Sequence, residues 1–169
     1  MKPTTLCVPV NAKGELLLGM KKRGFGMGKY NGFGGKINTG ETFRQCAVRE
    51  LWEENSLLAK PEDLQAIAFL DFRFPYSPEL THIGYVYLVK VFEGIPLESE
   101  EMAPSWFTPE NLPFDTMWKG DRSWLPLLLE GKNVSGYVTF GQDNDSVIEM
   151  EFKEVDVIKE DMAYFEDTF

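Results

Sequence analysis

Three closely spaced glutamates carry the strongest chemical signal in this sequence. Glu50, Glu53 and Glu54 stand at positions i, i+3 and i+4, so on an α-helix their carboxylates share one face. Like charges crowded on one face destabilise an isolated helix, and a hard divalent cation with oxygen ligands, Mg²⁺ or Mn²⁺, would compensate them. An acidic helix face on its own is usually solvated surface. The spacing alone is therefore compatible with both a metal site and an ordinary surface.

A glycine-rich loop precedes these glutamates at a fixed distance. The segment Gly34-Gly35-Lys36-Ile37-Asn38-Thr39-Gly40-Glu41 is followed, after seven residues, by Arg49-Glu50-Leu51-Trp52-Glu53-Glu54-Asn55-Ser56-Leu57. The pattern resembles the Nudix box: glycine, five residues, glutamate, seven residues, then Arg-Glu-aliphatic-x-Glu-Glu-x-Gly-aliphatic. Every fixed position matches except the final glycine, which is Ser56 here. Because so many positions match across two elements, the motif is far more specific than a lone glycine pattern.

The resemblance to the Nudix hydrolases implies a divalent metal centre held by the loop and the helix. The implied ligands are the Gly34 carbonyl and the carboxylates of Glu50, Glu53 and Glu54. One of the glutamates would activate water, and the sequence leaves open which one. Arg49 is placed to orient Glu41 or a carboxylate by charge-assisted hydrogen bonds. Glu101, outside the box, corresponds to an acidic residue that is a further ligand or a base.

The similarity continues beyond the box and covers nearly the whole chain to about Val157. It is carried by segments 18–26, 31–36, 98–102, 113–114, 117–118 and 124–129. These segments resemble the animal-type MutT homologues, which hydrolyse oxidised purine nucleoside triphosphates such as 8-oxo-dGTP. The implied reaction yields a monophosphate and diphosphate and removes damaged nucleotides from the pool. Metal ions suit it, since they neutralise phosphates and lower the pKa of a bound water.

A purine pocket requires an aromatic plate, apolar walls and a few polar groups aimed at the base edge. By the resemblance, Trp118 stacks the base, and Asn31 and Asp121 face its polar edge. The walls are Phe25, Phe72, Phe74 and Met102. The remaining binding residues are Thr5 and Lys21, which reach sugar or phosphate, and Phe33, Gly35 and Lys36. Each aromatic has an alternative role as ordinary core, and for Phe72 and Phe74 the two interpretations weigh equally.

The sequence departs from its relatives at three places. The relatives carry two adjacent aspartates after the tryptophan, and these are thought to exchange a proton so that oxidised guanine and oxidised adenine are both accepted. Here Gly120 replaces the first, which removes the shared-proton device, so we expect a narrower or shifted base preference. Thr81 stands where relatives often carry methionine. Ser56 occupies a helix end that favours a left-handed residue, and Asn55 offers an alternative end one place earlier.

The elements that must position these residues follow from hydrophobic spacing. Strands are expected at about 6–10, 15–20, 64–74, 83–92, 102–107, 135–140 and 146–153, and helices at 42–55 and 121–130. Many strands with few helices predict the α+β class, here an α/β/α sandwich around a mixed sheet. We expect one Nudix domain over residues 1–157. Residues 158–169 form a C-terminal extension that is a docking helix, an ordered tail or a disordered one.

Composition limits the possible partners. The net charge of −10 argues against a nucleic-acid surface, so a nucleotide must be met by cations and by the basic cluster of residues 21–23 with Lys36. No apolar run reaches the roughly 20 residues of a membrane helix, and the N-terminus lacks a secretory pattern. We expect a cytoplasmic monomer that binds a small nucleotide and no membrane. Cys7 and Cys46 lack metal or redox spacing and predict buried free thiols.

Two alternatives stay open at this point. One is another Nudix activity, on ADP-ribose, a dinucleoside polyphosphate or a methylated purine triphosphate. The other is a Nudix-fold module that binds nucleotides without hydrolysing them. Such modules usually lose glutamates of the box, whereas Glu41, Glu50, Glu53 and Glu54 are all present, which favours an enzyme.

Overall fold

The computed structural model describes residues 3–160 and 163–166, which form eight strands and two α-helices. In chain order these are β1 (Thr4–Pro9), β2 (Leu16–Lys21), β3 (Tyr30–Asn31), α1 (Phe43–Asn55), β4 (Leu64–Arg73), β5 (His82–Val89), β6 (Met102–Phe107), α2 (Asp121–Leu129), β7 (Asn133–Phe140) and β8 (Val147–Val155). The expected elements are all present, with ends that differ by a few residues. The short strand β3 was not expected. Within the described residues, no helix is long and apolar enough to cross a membrane.

The central sheet is mixed. Its five strands run in the order β1-β5-β4-β7-β8, and β1 pairs with β5, and β4 with β7, in parallel. The β4–β5 and β7–β8 pairs are antiparallel. A smaller antiparallel sheet has the order β3-β2-β6.

Strand β5 shows how the two helices cover opposite faces of the central sheet. Successive side chains of a strand point to opposite sides, and Tyr85 and Tyr87 belong to the core cluster of helix α1. Val86 and Leu88 belong instead to the cluster that contains Trp124 of helix α2. The predicted α+β sandwich is therefore confirmed.

Helix α1 begins and ends with local signals. Thr42 caps it, because the Gln45 amide donates to Thr42 Oγ1 at 3.1 Å and the Thr42 amide donates to Gln45 Oε1 at 3.0 Å, a capping box. Ser56 ends it in the left-handed region, with φ of 63°. The alternative end at Asn55 is wrong: that residue stays helical and buried, and its Oδ1 accepts from the Leu57 amide at 3.0 Å.

The described part of the C-terminal extension packs on the domain. Ile158 and Tyr164 are buried in the same core cluster as helix α1. Residues 161, 162 and 167–169 of the predicted C-terminal extension lie outside the described residues. Cys7 and Cys46 are buried free thiols, as predicted.

Candidate active site

The glycine loop in front of helix α1 is held against strand β1 by backbone hydrogen bonds. The Thr5 amide donates to the Gly35 carbonyl at 3.0 Å, and Cys7 and Phe33 exchange two bonds of 2.6 and 2.8 Å. A Cβ added at Gly34 would collide with the Thr5 carbonyl oxygen. Position 34 therefore requires glycine for this close approach of two backbones.

Glu54 lies at the junction of this loop and helix α1. Its side chain is buried, and its Oε1 accepts a 2.7 Å hydrogen bond from the Gly34 amide. Burial raises the pKa of Glu54 to about 8, the negative charge of Glu50 adds to this, and the Gly34 bond opposes it. Among the described residues, no lysine or arginine forms an ion pair with Glu54. A buried carboxylate without such a partner is costly unless a cation joins it.

Arg49 collects three other carboxylates around its guanidinium. It donates to both oxygens of Glu41 at 2.7 and 3.0 Å, to Glu50 Oε1 at 2.8 Å and to Glu53 Oε2 at 3.4 Å. The sequence left open whether Arg49 orients Glu41 or another carboxylate, and the structure shows the bidentate bond to Glu41 together with bonds to Glu50 and Glu53. Arg49 also donates to the Lys36 carbonyl at 3.2 Å, which ties the helix to the loop.

The acidic groups offer the oxygen donors that a hard divalent cation prefers. Within the part of the chain that the structure describes, however, no three Asp, Glu, His or Cys side chains surround one point closely enough to hold an ion. In this arrangement Arg49 engages Glu50 and Glu53, while Lys21 pairs with Glu101 at 3.1 Å. The donor chemistry fits a metal, and binding requires at least one of these ion pairs to be exchanged for the cation.

A cavity of about 620 Å³ opens beside these carboxylates, a volume typical of small-molecule sites. Predicted site residues that line it are Thr5, Lys21, Phe25, Asn31, Gly34, Gly35, Lys36, Glu54, Phe72, Phe74, Met102, Trp118 and Asp121. Phe33 does not line it, because its ring is fully buried in the core on the α1 side. Arg49, Glu50, Glu53 and Glu101 lie outside the lining, and Glu54 is the box glutamate that reaches the cavity.

The aromatic residues of the cavity contact one another at its apolar end. The Trp118 ring centroid lies 5.1 Å from that of Phe25 and 6.0 Å from that of Phe74. Phe74 is buried and stacks on Phe140 at 4.5 Å. Phe72 stacks on His82 at 4.8 Å. Phe72 and Phe74 therefore have both of the roles considered from the sequence: they line the cavity and they pack in the core.

Asp121 is a buried acidic residue in the wall of the cavity, at its aromatic end. Its Oδ1 accepts from Trp124 Nε1 at 3.0 Å, and within the described residues its Oδ2 has no hydrogen-bond partner. Burial raises the pKa of Asp121 to about 7, while the bond from Trp124 and the charge of Lys29 lower it. A buried, unsatisfied oxygen in a cavity wall is a ready contact for a ligand.

Sequence reasoning assigned no site role to His82 and did not consider Lys29, yet both line the cavity. Lys29 Nζ lies 5.0 Å from the Trp118 ring centroid and 2.8 Å from Asp145 Oδ1. His82 Nδ1 is 2.7 Å from the Leu80 carbonyl oxygen, so His82 is a hydrogen-bonded residue at the start of strand β5. His82 pairs with Phe72 in the β4–β5 register. Because Phe72 was predicted to line the cavity, this pairing could have placed His82 there as well.

Comparison with known proteins agrees with this geometry. The profile of the NUDIX domain matches residues 1–128. The chain belongs to the Nudix family. As a Nudix hydrolase it belongs to enzymes that generally need a divalent metal ion.

Two curated relatives of this Nudix hydrolase match over most of their length. The oxidized purine nucleoside triphosphate hydrolase of Danio rerio is 46% identical over 143 residues, which cover 85% of this chain and 89% of the relative. The protein of the same name from Mus musculus is 44% identical over 142 residues, which cover 84% and 88%. The crystal structure of the MutT protein from Bacillus halodurans is 20% identical and covers 90% of this chain and 97% of that one, with a TM-score of 0.77. This structural likeness confirms the Nudix fold.

Proposed function

We propose that this Nudix hydrolase cleaves oxidised purine nucleoside triphosphates to the monophosphate and diphosphate and so clears damaged nucleotides from the pool. One observation carries the proposal: a single cavity joins an aromatic end with the unsatisfied Asp121 to the buried Glu54 of the Nudix box. The names of the Danio rerio and Mus musculus relatives support the same substrate class.

Base recognition is assigned to the aromatic end. Trp118 provides the stacking plate, with Phe25 and Phe74 beside it. Asn31 Oδ1 already accepts from the Gly32 amide at 2.9 Å, so its NH₂ group is the part that can donate to a carbonyl oxygen of the base. The Asp121 carboxylate would accept from guanine-type N–H donors. An oxidised purine has an added carbonyl and an added N–H, which suits this pair.

Phosphate binding is assigned to the opposite end. The net charge of −10 repels a triphosphate. Lys21 and Lys36 line the cavity, and the charge of Lys21 lowers the pKa of Glu54. Basic side chains in the cavity wall attract the phosphates locally despite the negative charge of the whole chain. Lys21 would leave its ion pair with Glu101 to meet a phosphate, which at the same time releases Glu101.

We assign the Gly34 carbonyl, Glu50, Glu53, Glu54 and Glu101 as ligands for Mg²⁺ or Mn²⁺. When bound, the ions neutralise the triphosphate and supply a water of lowered pKa. The chain supplies the rest: Arg49 orients the carboxylates through its bond to Glu41, and the loop holds Glu54 in place. Burial raises the pKa of Glu54 to about 8, and a bound cation would oppose this rise by favouring the ionised form. The catalytic base is one of these carboxylates: Glu50, Glu53, Glu54 or Glu101.

The test is steady-state diphosphate release with Mg²⁺ on 8-oxo-dGTP, 2-oxo-dATP, O6-methyl-dGTP, dGTP and ADP-ribose. Glu54→Gln is the inactive control, and Glu62→Gln, on an exposed residue, is the matched one. Preference for an oxidised purine triphosphate that only Glu54→Gln abolishes supports the proposal. Preference for ADP-ribose or a methylated purine replaces it with another Nudix activity. Nucleotide binding without turnover replaces it with a non-catalytic module.

The same proposal includes a cytoplasmic monomer as the working form. One chain already places the aromatic residues and Glu54 in a single cavity, so the proposed chemistry requires no residue from a second copy. Light scattering coupled to size exclusion checks this, and a mass near twice that of one chain would contradict it.

A further inference from the structure

The chain that follows strand β8 returns to the loop in front of helix α1. Ile158 and Tyr164 are only 8% and 4% exposed, and both pack in the cluster that contains Phe43 and Cys46 of the helix. We call residues 158–160 and 163–166 the strap. Its contacts connect the C-terminal extension to the element that carries the box glutamates.

Two backbone hydrogen bonds join the strap to the turn before the helix. The Gly40 amide donates to the Tyr164 carbonyl at 2.7 Å, and the Tyr164 amide donates to the Glu41 carbonyl at 3.0 Å. A reciprocal pair of this kind fixes the separation and direction of two chain segments. The turn at Gly40 and Glu41 is therefore restrained by the strap as well as by hydrogen bonds within its own loop.

A charged anchor fixes the other end of the strap. Arg44 of helix α1 donates to both oxygens of Glu160 at 3.0 and 2.9 Å, and Tyr87 Oη donates to Glu160 Oε1 at 2.7 Å. Both charged side chains are largely buried, at 31% and 21% exposure. A bidentate, partly buried pair has a defined geometry, unlike most surface ion pairs.

Glu41 passes this restraint to the metal-binding carboxylates. Its backbone carbonyl is bound by the strap, and its carboxylate is bound by Arg49, which in turn donates to Glu50 and Glu53. We propose that the strap is a positioning element for the divalent-cation site, acting through Glu41 and Arg49. This rests on the proposed role of the box glutamates as ligands.

Groups that orient metal ligands typically change metal affinity about 10- to 100-fold when they are removed. The strap should therefore affect cation binding even when the domain stays folded. A purely stabilising tail would lower the melting temperature and leave the cation affinity of the folded protein unchanged. Cation affinity thus separates the two roles.

The experiment uses the full chain and Mn²⁺ without nucleotide, with bound metal measured by electron paramagnetic resonance. Tyr164→Pro removes the amide that bonds to Glu41, because proline has no N–H, and Glu160→Gln removes the charge that faces Arg44. Phe165→Ala, at a neighbouring side chain that is 55% exposed, is the control. Hydrogen exchange at the Gly40 amide reports whether the strap has detached.

We expect Mn²⁺ to bind about 10-fold more weakly to Tyr164→Pro, with a smaller loss in Glu160→Gln, faster exchange at Gly40 and no change in Phe165→Ala. If Tyr164→Pro does not fold, the Mn²⁺ affinity of Glu160→Gln tests the proposal instead. Unchanged Mn²⁺ affinity in the folded variants overturns the proposal, whatever happens to the melting temperature. A wild type that binds no Mn²⁺ overturns it too, whereas one that binds Mn²⁺ but hydrolyses no oxidised purine triphosphate overturns only the proposed function.

Discussion

Gly34 and Glu54 are joined by a 2.7 Å hydrogen bond from the backbone amide of the first to the carboxylate of the second. The loop and helix α1 therefore meet at a buried carboxyl group. Gly35, the next residue, lies close to Glu50, since a Cβ there would be 2.6 Å from the Glu50 carboxylate. The two glycines thus set the space in which the carboxylates lie.

Alanine at these two glycines should have different effects. Gly34→Ala forces the backbone of Thr5 to move and should cost about 3 kcal/mol or more in the free energy of unfolding. Gly35→Ala displaces only the end of a flexible side chain, so the protein should fold while Mn²⁺ affinity drops about 10-fold. Urea denaturation and metal titration check this. Gly141→Ala is the control, because its nearest neighbour would lie at 3.5 Å; equal effects at 34 and 35 would contradict the prediction.

Asp121 should make stability depend on pH in the substrate-free protein. Burial raises its pKa from 3.8 to about 7, so the folded state holds the proton more tightly than the unfolded state. Its contribution to stability is full below pH 4 and is lost as the pH rises through 7, by at most about 4 kcal/mol. Asp121→Asn should reduce this slope, and the part that remains comes from Glu54, whose pKa burial also raises. Urea denaturation of both proteins at pH 5 and pH 8 measures it, and parallel changes would show that another group is responsible.

Restoring the missing acid should widen the base preference. Gly120 precedes helix α2 in a right-handed conformation that aspartate adopts readily, and an acid near a helix N-terminus is favourable. A Cβ there would lie 3.3 Å from a methyl carbon of Val138, so that side chain must shift slightly. We expect Gly120→Asp to raise turnover of 2-oxo-dATP relative to 8-oxo-dGTP. Comparable turnover of the two by the wild type would contradict the expectation of narrowed preference.

Ser56→Gly should stabilise the protein without changing its activity. Ser56 adopts φ of 63°, a conformation that is unfavourable for residues with a Cβ. Glycine removes that strain but gains freedom in the unfolded chain, so the net gain should be about 1 kcal/mol. Thermal unfolding and turnover measure the two effects. A loss of stability would mean that the serine hydroxyl has a structural role.

Trp118 should contribute to base binding through its ring. Stacking of a base on an aromatic side chain is worth about 1–3 kcal/mol. We expect Trp118→Ala to weaken binding of 8-oxo-dGMP about 5- to 150-fold, and Trp118→Phe to keep much of the affinity. Calorimetry without metal isolates this contribution from the phosphate site. Unchanged affinity in the alanine variant would place the base elsewhere.

Local signals made helix α1 and its acidic face predictable. Thr42 and Gln45 form a capping box, and Phe43, Cys46, Ala47 and Leu51 repeat at helical spacing and are all buried. The ion pair of Arg49 with Glu41 was one of the pairings that the sequence allowed, since the box fixes their separation. These features depend on residues within one or two turns of one another.

Other features depend on pairing between distant segments and were not predictable in the same way. Phe25 and Phe33 are the same residue type in one glycine-rich stretch, yet Phe25 lines the cavity and Phe33 is core, because the pairing with Cys7 turns the second ring inward. His82 reaches the cavity through its register with Phe72. Lys29 is held there by Asp145, more than a hundred residues later.

The burial of Cys7 and Cys46 affects how readily the protein is oxidised. Only the thiolate form of cysteine reacts readily with peroxide, and burial raises the pKa of Cys46 to about 12 and that of Cys7 still further. Cys46 lies behind the glycine loop in front of helix α1, with its Sγ 3.7 Å from the Gly35 carbonyl oxygen. Both sulfurs therefore stay protonated and shielded from solutes. An enzyme that clears products of oxidative stress is in this way equipped to keep working while that stress lasts.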